Sequence, residues 1–307
     1  MSHMKDNYSS KPFMIGQHFE RINSIKDVDQ FKLSDEQIRL YQKNGSISSL
    51  KIMSDNTLNT LRNDLSDIVN GRIDTSFATD LNHEAFKGYE GKGTNDELIY
   101  FQGAWLLTEA FHDIIYNPRI TVPVSQLLGI DKVRFLHDQF FYKPPQHGLN
   151  IAWHQDYSYW QRTGPEKHIS IWIPLDDADE SNGTLQFIPG SQTWPLLPTV
   201  DLAGGDMEAL KQHLTKEQRD SFSATAITMK AGQAEMHGSR VIHGSMPNTA
   251  DTPRRALVLN YMEAHTISKD STQPIMPGFP VIPEGEIIAG KGFPLVYDSN
   301  NPTQFFN

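Results

Sequence analysis

The tripeptide His154-Gln155-Asp156 sets an imidazole and a carboxylate two residues apart. On an extended strand, positions i and i+2 face the same way, so these two side chains stand side by side. A histidine from a distant strand, His243, can bring a third donor to the same face. Two histidines and one carboxylate, with the other positions open, form the facial triad of non-haem Fe(II) oxygenases. The open positions matter because a cosubstrate and O2 must both reach the metal. Each piece alone is common. An H-x-D tripeptide also serves as a simple hydrogen-bonded pair, and a histidine after Val241-Ile242 is more often part of a core. Arg254, eleven residues past His243, shifts the balance. It opens an apolar strand, where a buried guanidinium needs an anionic partner. A carboxylate met by both arms of the fork is its natural match.

These side chains need a scaffold, and the texture of the chain changes near residue 131. Before it the signals are helical. Ser34 is an N-cap with Gln37 at the capping-box position, and Asn44-Gly45 ends that helix. Ser54 opens a second helix, with Leu58, Leu61, Leu65 and Ile68 at helical spacing and a stop at Asn70-Gly71. Two more are expected over about 104–116 and 118–128, the latter with Pro118 near its start. Short strand-like runs follow at 133–142, 151–156, 168–173, 183–188, 232–237, 241–243 and 254–262. Gly and Pro bound them, as in Lys143-Pro144-Pro145 and Pro189-Gly190-Ser191, which indicates an antiparallel barrel or jelly roll. The expected fold class is mainly β with flanking helices, in one domain over 5–307. A jelly-roll core (about 131–265) rests on an N-terminal helical scaffold (about 34–130) and is followed by Pro- and Gly-rich loops (266–307). Residues 199–222 are polar and helical and read as an insertion, 78–103 and 266–307 are candidate lids, and 1–4 read as a cloning scar.

Composition narrows the class. The 307 residues are 38% hydrophobic and 21% charged, as for a packed globular protein. A net charge of −10 argues against a general nucleic-acid binder, which needs a basic surface. With no cysteine, disulfides and thiolate metal ligation are excluded, and a cytoplasmic protein is the default expectation. No apolar run approaches the ~18 residues of a membrane span. The expected partner is therefore a small molecule, neither nucleic acid nor membrane; the oligomeric state is not legible.

The order of the motifs is more specific than any one of them. H-x-D at 154–156, N-G-x-L-x-x-x-P-G-S at 182–191, H-G-S-x-x-N at 243–248 and then Arg254 resembles the phytanoyl-CoA dioxygenase family, over roughly residues 34–262. The resemblance implies a double-stranded β-helix (cupin-like jelly roll) that uses Fe(II), 2-oxoglutarate as cosubstrate, and O2. It implies that His154, Asp156 and His243 ligate iron, that Arg254 pairs with the distal carboxylate of 2-oxoglutarate, and that Ser245 supports that carboxylate. It puts Gln139, Trp172 and Thr184 on strands lining the cosubstrate pocket, where core packing is nearly as good a reading, and Trp160 beside the cosubstrate. Tyr157, Tyr159 and Trp160 follow the metal ligands and are candidate substrate contacts. Related halogenases carry a small residue at the carboxylate position so that chloride can bind iron, so Asp156 disfavours halogenation. Arg255 points to the opposite strand face and is assigned a surface ion pair. His237, His137, His147 and His168 are read as hydrogen-bonded structural histidines.

The implied reaction oxidises an unactivated C–H bond with release of succinate and CO2; hydroxylation, desaturation, ring formation and epimerisation all remain open. No dense Lys/Arg cluster is present to meet the phosphates of CoA, so a small molecule or natural-product intermediate is favoured over an acyl-CoA ester. The alternatives are an acyl-CoA hydroxylase, a metalloenzyme of the same fold that needs no 2-oxoglutarate, and a non-catalytic cupin-like binding protein. The metalloenzyme has no need for Arg254, and retention of the whole triad together with Arg254 argues against the binding protein.

Overall fold

A computed structural model of the chain describes residues 8–78, 99–146 and 149–306. Helices form where the capping signals lie. α1 (Asp35–Asn44) starts at Ser34, whose hydroxyl accepts the Gln37 N–H while the Gln37 side chain accepts the Ser34 N–H. It stops at Gly45, which takes the left-handed conformation at φ +80°. α2 (Asp55–Val69) is capped by Ser54 and buries Leu58, Leu61, Leu65 and Ile68, each contributing about 1.5–3 kcal/mol. The helix expected over 104–116 is instead a 3-10 turn (Ala104–Leu106), α3 (Glu109–Asp113) and a second 3-10 turn (Ile114–Tyr116). Thr108 accepts the Phe111 N–H and restarts the helix there. Every residue of the segment except Glu109 is buried, so no continuous exposed face imposes a helical period. α4 (Pro118–Leu128) begins on Pro118 and ends at Gly129, as expected.

The strands, in chain order, are β1 (Ser46–Lys51), β2 (Ile99–Phe101), β3 (Lys132–Lys143), β4 (Ile151–His154), β5 (Thr163–Gly164), β6 (His168–Pro174), β7 (Leu185–Phe187), β8 (Thr225–Ala226), β9 (Gln233–Gly238), β10 (His243–Ser245), β11 (Arg254–Glu263), β12 (Ile267–Ser268) and β13 (Leu295–Asp298). The larger antiparallel sheet runs β1-β9-β6-β11-β3-β13, with β2 also on β3, and the smaller runs β4-β10-β7-β8. Alternation along the larger sheet separates two interiors rather than core from solvent. On β6 and β11, Ile169, Ile171, Ile173, Leu257, Leu259 and Tyr261 pack with α2 and α4. Trp172, Ala256 and Val258 point the other way, into a cluster with Leu185 and Phe187 of the smaller sheet. This is why β6 is buried along its whole length. Arg254 shares the parity of Ala256 and Val258, so it also points between the sheets.

Three boundaries differ from expectation. The 151–156 run is a strand only to His154, and Asp156 opens a 3-10 turn (Asp156–Tyr159). The strand expected at 241–243 begins at His243, because the ladder to β4 and β7 starts there. The tail is more than loops: β13 extends the sheet edge at β3, and β12 clips onto β5. Residues 199–222 hold a 3-10 turn (Leu210–His213) and α5 (Lys216–Asp220). Leu210 and Leu214 pack there with Trp153 and Ile242, so the segment covers the outer face of the smaller sheet. Most of the expected 78–103 lid, residues 1–4 and His147 lie outside the described residues. Among the described residues, no helix is long and apolar enough to cross a membrane.

Candidate active site

Antiparallel pairing of β4 and β10 puts His154 directly opposite His243, with ring centroids 4.2 Å apart. Gly244 permits the close approach, since a Cβ there would lie 2.8 Å from the Ile151 carbonyl oxygen. Each imidazole Nδ1 pairs with the carbonyl two residues back, His154 with Ala152 at 2.8 Å and His243 with Val241 at 3.1 Å. A carbonyl only accepts, so Nδ1 carries the proton and Nε2 is left as an electron-pair donor. Both Nε2 atoms face Asp156 Oδ1, at 3.4 and 3.6 Å. The three ligand atoms lie within 4.8 Å of one another, a spacing one small cation can bridge. Although β4 has ended, Gln155 keeps extended angles (φ −111°, ψ 130°), so the i, i+2 relation of His154 and Asp156 survives.

The other carboxylate oxygen, Asp156 Oδ2, accepts the Ser170 hydroxyl at 2.5 Å and His237 Nε2 at 3.2 Å. His237 Nδ1 in turn meets buried Glu235 at 2.7 Å. Burial opposes charge on His237, but Glu235 and Asp156 overcome it and raise its pKa to about 10. Burial alone would raise Asp156, yet His243, His154 and His237 hold it well below the usual carboxylate range. Burial, then His154 and His237, keep His243 well below the usual imidazole value. An ionised carboxylate beside a neutral imidazole is the protonation state that metal ligation requires. The sequence reads His237 first as a hydrogen-bonded structural histidine, and the structure adds that it lines the cavity and holds Asp156. Its signal was Glu235-Met236-His237, an acid and a histidine sharing one strand face.

Arg254 opens β11 almost fully buried. Its Nη2 donates to the Gly183 carbonyl at 2.9 Å, its guanidinium lies 5.6 Å from the Trp172 ring centroid, and its Nε has no partner. Burial pulls its pKa down to about 10, with Asp176 opposing. A buried cation with an unused donor fits an anionic guest. Ser245, Gln139 and Trp172 line the same cavity. Thr184 is buried beside Gly183 with its hydroxyl unpartnered and is not part of the lining. Lys143, which ends β3, was read only as the close of a strand before Pro144-Pro145. It is fully buried, sits opposite Arg254 in the β11 register, and donates to Ser245 Oγ at 2.8 Å and to the Met246 carbonyl. Sequence offered no signal for it, because a lysine before two prolines reads as exposed punctuation. Arg255 points to the other face, as expected, and pairs with Asp176 at 2.8 Å.

The triad and Arg254 open into one cavity of about 420 Å3. Its outer wall includes Leu136, His137, Phe141, Tyr159, Trp160 and Met276. Tyr159 and Trp160, candidate substrate contacts in the sequence, both line it. Tyr157 does not: its hydroxyl donates to the Thr163 carbonyl at 2.8 Å and its ring packs on His168, because the 3-10 turn rotates it away from the opening. His137 lines the cavity beside Trp160, and burial lowers its pKa to about 4. His168 instead bonds Thr163 at 3.0 Å, a structural role as expected. Ile275, Met276 and Pro277 of the tail and Gln102 of the 78–103 segment reach the cavity, the described part of the expected lids.

The family model for phytanoyl-CoA dioxygenase (PhyH) matches residues 41–256. A probable alpha-ketoglutarate-dependent hypophosphite dioxygenase from Stutzerimonas stutzeri is 25% identical over 230 residues, 75% of this chain and 78% of that protein. A phytanoyl-CoA dioxygenase domain-containing protein 1 homolog from Caenorhabditis briggsae is 29% identical over 55% of this chain, which spans only 60% of that relative. In fold the chain is similar to the non-haem alpha-ketoglutarate-dependent carbocyclase SnoK from nogalamycin biosynthesis, with a TM-score of 0.66 and 20% identity over 86% of this chain and 97% of that one. The jelly-roll expectation is met.

Proposed function

The chain belongs to the phytanoyl-CoA dioxygenase family, and from that premise we propose that it oxidises an unactivated C–H bond of a small molecule of natural-product type. It is an Fe(II)- and 2-oxoglutarate-dependent dioxygenase. In this reading His154, Asp156 and His243 hold the iron, and Arg254 with Ser245 holds the outer carboxylate of 2-oxoglutarate. The observation that carries it is the joining of both ends in one cavity: three ligand atoms within 4.8 Å of one another and a buried arginine with a free donor. Iron with 2-oxoglutarate supplies O2 activation, in which decarboxylation to succinate and CO2 accompanies oxidation of the substrate.

The residues supply everything else. The Nδ1–H bonds of the two histidines keep Nε2 free for metal, and Ser170 and His237 occupy Asp156 Oδ2 so that Oδ1 faces the ligand position. Leu136, Phe141, Trp160, Met276 and the ring of Tyr159, whose hydroxyl is held by the Val200 backbone, make an apolar, water-excluding wall, with His137 as a polar point for orientation. Such a wall favours a compact, largely apolar substrate. On the described lining the cations are Arg254, His237 and Arg162; His237 is held between Glu235 and Asp156 and Arg162 is taken by Asp270 at 2.6 Å, so nothing there matches the phosphates of CoA. SnoK, a carbocyclase of a biosynthetic pathway, supports the natural-product reading.

The test is an anaerobic optical titration with Fe(II) and then 2-oxoglutarate, followed by a screen for succinate release. A weak visible band needing both additions, absent in Asp156→Ala, is expected, with succinate release stimulated by a small apolar compound. Stimulation by acyl-CoA esters alone would overturn the substrate class.

A further inference from the structure

We propose that Lys143 is a positioning residue of the cosubstrate site: its amino group aims the Ser245 hydroxyl into the cavity and places a second positive charge behind it, so that Arg254 and Lys143 together select a 2-oxo acid bearing an outer carboxylate. The inference rests on Arg254 being the cosubstrate's anchor. Lys143 and Arg254 are cross-strand partners on β3 and β11. Ser245 forms the wall, and Lys143 stands behind it, fully buried. By donating to Ser245 Oγ at 2.8 Å, Lys143 leaves that hydroxyl to act as a donor itself.

The charged group facing Lys143 is Arg254. Among the described residues of β10 and the loop after it, the groups that meet the amine are neutral, the Ser245 hydroxyl and the Met246 carbonyl, while the Asn248 amide donates to the main-chain carbonyl of Lys143. Asp176, whose charge reaches Arg254, is engaged by Arg255. A protonated Lys143 beside buried Arg254 needs a counter-charge, and a bound carboxylate provides one. Burial, then Arg254, push the Lys143 pKa down to about 6. Near neutral pH the amine is therefore mostly uncharged in the free protein, and an arriving carboxylate draws a proton onto it. Affinity should be flat below pH about 6, where the amine is already charged, and fall as pH rises above it.

The experiment is anaerobic titration calorimetry of Fe(II)-loaded protein near neutral pH, in two buffers of different ionisation heat. The ligands are 2-oxoglutarate and 2-oxobutyrate, which share the chelating end but differ in the outer carboxylate. Wild type should take up much of one proton with 2-oxoglutarate and little with 2-oxobutyrate. Lys143→Met should lose that uptake and bind 2-oxoglutarate ~10-fold more weakly or worse, with 2-oxobutyrate nearly unchanged. Equal proton uptake for both ligands in wild type, which needs no variant to fold, overturns the proposal, as does unchanged discrimination in Lys143→Met. If Arg254→Met also keeps its affinity for 2-oxoglutarate, the anchor reading falls first and this one with it.

Discussion

Replacing Arg254 with methionine should make the ligand-free protein more stable and the enzyme worse, because the guanidinium is buried without an acid in contact. Its pKa is held at about 10 against an ordinary 12.5, a penalty on the charged form of about 3 kcal/mol at roughly 1.4 kcal/mol per unit. Against this stand the hydrogen bond to Gly183 at 2.9 Å and the contact with the Trp172 ring at 5.6 Å, together about 2 kcal/mol. Removing the charge therefore stabilises the fold by about 1 kcal/mol, or about 2 °C in Tm for a chain of this size. For a base whose folded pKa lies below its unfolded one, the penalty is present at every pH below the folded pKa and is relieved only above it. The gain in Tm should thus be constant from about pH 6 to pH 8. Cosubstrate binding moves the other way. Two charge-assisted hydrogen bonds of about 1.5–3 kcal/mol each are lost, so 2-oxoglutarate affinity should fall at least ~100-fold. Thermal melts of metal-loaded protein read both effects: the variant should melt higher without 2-oxoglutarate and lower at a saturating concentration, where only wild type gains binding stabilisation. A variant that binds 2-oxoglutarate within about threefold of wild type, less than 1 kcal/mol, would remove Arg254 from the site.

Three further outcomes are expected. His237→Phe removes one of the two donors to Asp156 Oδ2 and should weaken Co(II) or Fe(II) binding by ~10- to 100-fold in calorimetry; unchanged metal affinity would show that Ser170 alone suffices. His137 has its pKa lowered to about 4 from 6.5, so the unfolded chain binds the proton first. Stability should fall by about 3 kcal/mol between those pH values, and urea midpoints of His137→Asn should show a slope shallower by up to one proton. Gly183→Ala forces a side chain onto a backbone at φ +73° and a Cβ to 2.5 Å from the Met246 carbonyl. It should cost about 1–3 kcal/mol in melts and, by displacing the carbonyl that holds Arg254, weaken 2-oxoglutarate more than metal; equal losses would argue against that linkage.

How much of the site is legible depends on how local each relation is. His154 and Asp156 are related by two backbone steps, so their side-by-side arrangement follows from extended geometry even though the strand ends between them. Ser34, Gln37 and Gly45 act within one helix, and α1 forms as their types dictate. Tyr157 was misplaced because a 3-10 turn and an extended run assign opposite directions to the residue after Asp156, and composition does not choose between them. The 104–116 segment broke up where burial of every residue but Glu109 left no exposed stripe to mark a continuous helix.

His154, Asp156, His243 and Arg254 could be singled out from their order, their chemistry and the family resemblance that this order carries, since metal ligation and carboxylate pairing admit few residue types. Short strands bounded by Gly and Pro indicated an antiparallel barrel or a jelly roll, and the family resemblance pointed to the latter. What only the tertiary structure decided is which polar groups are buried together. Ser170 and Asp156 meet across a loop, Glu235 and His237 lean on Asp156 from another strand, and Lys143 stands behind Ser245 on a strand more than a hundred residues earlier in the chain. Each of those side chains is ordinary in sequence. Its role comes from losing water next to a specific partner, and that energy is set by burial and distance, which sequence spacing does not encode.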